Sequence, residues 1–138
     1  MKIRFDFVTN SSSTSFVIMC QGQPSKQTFV AAMGARKSSV LKPLFEDLFE
    51  VLKSKMKNAK EAVHDRRRGR RAKSIVDLVK LEISKATGQR AKEALASGQE
   101  VWIGELDSDG SPVESFFCCE SFEIDHPQLY VDALRCTW

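Results

Sequence analysis

The chain is expected to fold as an α+β domain: a mainly antiparallel sheet of four to five strands, with helices, including a helical hairpin, packed on one face. Three observations carry that expectation. Period-two or continuous apolar runs cluster at both ends of the chain, a long stretch of helical periodicity fills the middle, and Gly, Pro and Asp punctuate the joins. Strand segments separated from helical ones argue against alternating parallel units.

At the front, Ile3, Phe5 and Phe7 alternate with Lys2, Arg4 and Asp6, which is the mark of a strand with one buried face. Phe16-Val17-Ile18-Met19-Cys20 is a continuous apolar run of the kind found in central strands. TNSSSTSF (9–16) lies between them and reads as the loop of a long hairpin. Ser25 is placed to cap a short helix through Met33, which Gly34 ends. Leu41, Leu44, Phe45, Leu48, Phe49, Leu52, Met56, Ala59 and Val63 then step by three and four, predicting one long helix. Ile75, Leu78, Val79, Ile83 and Ala86 mark a second helix that stops before Gly88, and 89–97 a short third. VWIGEL (101–106) and VESFFCCE (113–120) flank Asp109-Gly110 and are expected to form a hairpin. A turn at 125–128 leads to a last strand, 129–138. No internal repeat or linker divides the sequence, so a single domain, 1–138, is expected.

The composition, 42% hydrophobic and 28% charged over 138 residues, belongs to an ordinary globular protein and excludes a disordered one. The sequence holds no apolar run long enough for a membrane helix and opens on no secretory signal, so a cytoplasmic address and no membrane partner are expected. The net charge of +3 conceals two poles. Residues 53–73 carry ten Lys or Arg against Glu61 and Asp65, a net of +8. Residues 100–138 carry nine Asp or Glu against Arg135, a net of −8.

The basic pole supplies the first candidate site. Arg66, Arg67, Arg68, Arg70, Arg71 and Lys73 would crowd the tip of the helical hairpin, where they could bind nucleic acid phosphates or a protein partner. No aromatic side chains interleave with them to stack bases. The second candidate is the polar run Asn10, Ser11, Ser12, Ser13 and Ser15, whose backbone amides and hydroxyls could hold an anion. It lacks the glycine of an ordinary anion nest and any GxxxxGK[ST] motif.

Other chemistries find little support. Cys20, Cys118, Cys119 and Cys136 contain no CxxC pair, and a metal site with His126 would need three neighbouring strands. No metal and no cofactor are expected. Glu105-x-Asp107-x-Asp109-Gly110 starts like a calcium loop, but Phe116 stands where the bidentate Glu belongs. No nucleophile, base and acid fall into a recognisable catalytic spacing.

MKIRFDFVTNSSSTSF resembles an N-terminal signature of small prokaryotic and phage proteins: a Met-Lys-Ile-Arg-like opening, Phe-Val-Ser/Thr-Asn, a serine run and Phe. The resemblance covers Met1 to about Phe16, with Thr14 where a further serine is commoner, and brings no activity with it. It implies that the serine run is a composed element with a structural or binding role.

The expected function is a non-enzymatic binding or assembly module that recognises a protein partner or itself as a homo-oligomer. The alternatives are nucleic-acid binding at Arg66–Lys73, and a small enzyme or anion-binding protein using Asn10–Ser15.

Overall fold

The computed structural model describes residues 13–34, 40–64 and 72–137. In chain order the elements are β1 (Ser13–Cys20), α1 (Lys26–Ala32), α2 (Lys42–Lys55), β2 (Lys57–Asn58), α3 (Ala59–Val63), α4 (Ile75–Glu82), α5 (Lys85–Ala96), β3 (Glu100–Asp107), α6 (Pro112–Glu120), β4 (Phe122–His126) and β5 (Leu129–Thr137). The five strands form one antiparallel sheet in the order β2-β3-β1-β5-β4, an α+β fold.

β1 runs through the middle of this sheet, and its residues from Phe16 to Met19 are 0–2% exposed. Successive side chains of a strand point to opposite faces, so such a run can be buried only if both faces are covered. They are. Phe16, Ile18 and Cys20 join Phe29, Leu48, Phe49, Leu52, Phe117 and Cys118, which come from α1, α2 and α6. Val17 and Met19 join Val79, Ile83, Ala91 and Ala94 on the α4 and α5 side. The helices therefore lie on both faces, not on one as expected. Each fully buried Phe, Leu or Ile contributes about 1.5–3 kcal/mol, and two cores share the strand that anchors them.

Local signals explain the element boundaries. Ser25 caps α1 by accepting the Thr28 N–H, and Gly34 follows with φ +83°, as the sequence suggested. The long helix breaks at Met56, whose ψ of 149° is extended. Lys57 and Asn58 then pair with β3, and the Asn58 side chain accepts the Lys60 N–H to start α3. The hairpin expected around the Arg run is thus built on a five-residue α3 rather than on one long helix.

Ser84 starts α5 by accepting the Thr87 N–H, so Gly88 sits inside the helix instead of ending the previous one. A Cβ at Gly88 would collide with Cγ of Lys80, and its absence lets α4 and α5 pack closely.

Residues 113–120 are a helix, not a strand. Ser111 accepts the Glu114 N–H and Pro112 fits the first turn, so the chemistry of a helix start overrides the apolar run. The Asp109-Gly110 turn consequently leads into α6 and not into a hairpin. Buried Glu114 accepts the Asp107 N–H at 2.7 Å and pairs with Lys55 Nζ at 3.4 Å, tying α6 to β3 and α2.

Gly104 on β3 is required by close approach: a Cβ there would lie 2.6 Å from Phe16 Cζ and 2.8 Å from the Lys55 carbonyl oxygen. Gly104→Ala is expected to cost about 1–3 kcal/mol through overpacking, read as a lower urea midpoint with unchanged slope. An unchanged midpoint would show that α2 does not pack on β3 in this way.

Candidate functional site

The expected serine loop is only partly within the described residues. Asn10, Ser11 and Ser12 lie outside them, as does the expected strand at 2–8. Ser13, Thr14 and Ser15 are not loop residues: they begin β1, opposite Asp107, Leu106 and Glu105 of β3. Thr14 is buried, donating to the Cys118 carbonyl at 2.7 Å, while Ser13 and Ser15 fall on the opposite face by alternation. Of the basic candidates, Arg66, Arg67, Arg68, Arg70 and Arg71 lie outside the described residues and Lys73 is exposed just before α4. Both flanks of that run are anchored together: Val63 and Ala72 pack on a small core of Ala62, Leu78 and Ile103. The described residues on either side of the run therefore lie beside β3, next to the β2 edge.

The metal reading fails on geometry. Cys136 stands opposite Thr14 and Cys20 opposite Leu129, placing them about 20 Å apart along β1 at ~3.4 Å per residue. Among the described residues, no group of three His, Cys, Asp or Glu side chains is placed to hold a metal ion. The Cys20 thiol is pushed up from 9.0 to about 11 by burial first and by the Glu100 carboxylate second.

A different set of polar side chains converges where α5 crosses β4 and β5. Arg90 lies 3.8 Å over the centre of the Tyr130 ring and pairs with Asp125. The Tyr130 hydroxyl donates to Glu123 at 2.7 Å. Burial, that hydrogen bond and the neighbouring carboxylates hold the Tyr130 phenol well above its ordinary range, outweighing Arg90. One turn back on α5, the Ser84 hydroxyl donates to Thr87 at 2.8 Å, and Thr87 donates to buried Asp132 at 2.6 Å. Asp132 also accepts the Leu134 N–H at 3.0 Å, so the chain of hydroxyls caps α5 and pins it to β5.

Two depressions flank the Arg90–Tyr130 pair. One, about 360 Å³, reaches Asp125 and His126; the other, about 460 Å³, reaches Glu123, Asp132 and Leu134; Glu93 borders both. His126 Nδ1 accepts the Gln128 N–H at 3.2 Å, leaving Nε2 to carry the proton of the neutral ring. Glu93, Glu123, Asp125 and Asp132 outnumber Arg90, so the groove carries a net negative charge. Its residues were in view in the sequence but not joined. Glu123 and Asp125 share a strand face, as do Tyr130 and Asp132, and Ser84, Thr87 and Arg90 recur every three residues. Strand pairing joins the two strand sets, and the packing of α5 on the sheet brings the third to them.

The fold and groove define a three-layer antiparallel α+β protein with a charged sheet edge. No family model, no curated protein and no solved structure matches the chain. No helix among the described residues is long and apolar enough to cross a membrane.

With its pKa at about 11, Cys20 holds a thiolate fraction at pH 8 about a hundredfold below that of the same thiol at 9.0, so it should resist iodoacetamide in the native protein. Because the folded pKa is raised, its contribution to stability is whole below pH 9.0 and is lost as pH rises through about 11; Tyr130 acts in the same direction. Urea midpoints should therefore fall above pH 9.0, less steeply in Cys20→Ala. Rapid native alkylation of Cys20 at pH 8 would contradict its burial.

Proposed function

We propose that this protein is a non-catalytic binding and assembly module that docks complementary charge on its two sheet edges, with a second copy as its first partner. One observation carries this reading. The strand order puts β2 and β4 at opposite edges, about 19 Å apart at ~4.8 Å per strand. Exposed Lys53, Lys55, Lys57 and Lys60 lie at the β2 edge, and exposed Glu120, Glu123 and Asp125 at the β4 edge. Two poles so far apart in one molecule neutralise each other best between molecules. Opposite edges on one copy favour a head-to-tail contact over a self-complementary twofold one.

The polar networks at Thr87–Asp132 and Glu114–Asp107 support the non-catalytic reading, because each is spent on joining elements. The alternative is nucleic-acid binding. It is favoured by exposed Lys57, Lys60 and Lys73 beside the anchored ends of the Arg66–Arg71 run.

Sedimentation at 50 and 500 mM salt tests the assembly reading. A mass above 15.5 kDa is expected at low salt, falling at high salt and in a chain with Arg66→Gln, Arg67→Gln, Arg68→Gln, Arg70→Gln and Arg71→Gln. A monomer under every condition would overturn self-assembly. Tight anisotropy signals on labelled DNA or RNA, weakened roughly 10³-fold between 50 and 200 mM salt, would favour the nucleic-acid reading instead.

A further inference from the structure

Among the described residues, β4 pairs with β5 alone. An edge strand turns the N–H and C=O groups of alternate residues outward, ready to accept another strand. We propose that the β4 edge takes an extended segment with Lys or Arg at alternate positions. The segment adds as a further antiparallel strand and sends two basic side chains toward the depressions on either side of Arg90. This inference rests on the docking role argued for the acidic edge, and names the chemistry of what docks there.

Spacing makes the first argument. Glu123 and Asp125 lie two residues apart on the α5 face of β4, Glu123 bordering the larger depression and Asp125 the smaller. Side chains two apart on an added strand are about 7 Å apart on one face, the same repeat. Consecutive same-face residues of the incoming segment would thus stand beside these two carboxylates.

Charge makes the second. A β4 strand from another copy, paired antiparallel, would bring carboxylates against carboxylates, and like charges placed cross-strand destabilise a sheet. A basic strand reverses the sign at each such pair. The groove already holds an example of what it accepts: the Arg90 guanidinium, stacked on Tyr130 and paired with Asp125. Exposed Glu93 and Glu123 leave a surplus of negative charge for further cations.

The test uses the full chain and a fluorescein-labelled, end-capped heptapeptide alternating Lys or Arg with Val or Thr. Binding is expected at 50 mM salt. Glu123→Gln and Asp125→Asn should each weaken it about three- to fivefold, as expected for exposed cross-strand ion pairs. Gln keeps the acceptor for the Tyr130 hydroxyl, so Glu123→Gln leaves the fold intact. Peptides N-methylated on one alternate set of amides should lose binding, and those methylated on the other set should keep it. Equal binding by both methylated peptides, or by a version with Asp and Glu in place of Lys and Arg, would overturn strand addition. Salt-sensitive self-association without peptide binding would overturn this inference and leave the assembly reading standing. Peptide binding by a chain that is always monomeric would do the reverse.

Discussion

Everything in this molecule is arranged around a strand that must be dry on both sides. Phe16 to Cys20 offers no polar side chain to water on either face, so the sheet cannot lie open. The chain satisfies it by sending helices to alternate faces as it proceeds: α1 and α2 on one, α3 to α5 on the other, α6 back on the first. Even residues of β3, such as Trp102 and Leu106, then serve the first layer, and odd residues, such as Val101 and Ile103, serve the second. Gly104 is the point where this arrangement is tightest, because the Phe16 ring and the end of α2 both occupy the space of its missing side chain.

A closed centre throws the remaining chemistry to the edges. With β1, β3 and β5 in the interior of the sheet, the basic stretch around Lys57 and the acidic stretch around Glu123 fall on the two outermost strands. Short β2 sits among lysines and presents only Lys57 and Asn58 to β3. β4 alternates Phe122 and Ile124 toward the core with Glu123 and Asp125 toward α5. Charged edges protect sheets from indiscriminate pairing, and the same charge selects which partners remain acceptable. In the Arg90–Tyr130–Asp125 contact the guanidinium pairs with one of these carboxylates and covers the Tyr130 ring.

Much of the fold was legible in the residues. The central strand, the Ser25-capped helix, the turn before Leu129 and the α+β class follow from periodicity and punctuation. The one-face arrangement did not hold, although the clue lay in the uninterrupted run FVIMC, which asks for cover on both sides. Residues 113–120 misled because Phe116, Phe117, Cys118 and Cys119 look like a strand while the deciding signal is three side chains, Ser111, Pro112 and Glu114, at its start. The break at Met56 depends on β3 offering an edge to Lys57 and Asn58, a tertiary event with no local mark. The groove was hidden for a similar reason: its residues come from α5, β4 and β5, joined by strand pairing and helix packing that no single segment encodes.

Residue-level hydrogen exchange, compared at 50 and 500 mM salt, bears most directly on the claim that the sheet edges are the docking surfaces. At low salt, protection should rise at alternate amides of β4 and around Lys57–Lys60, while β1 stays uniformly slow in both conditions. Salt-dependent protection confined to the outer faces of α2 or α6, with both edges unchanged, would contradict it.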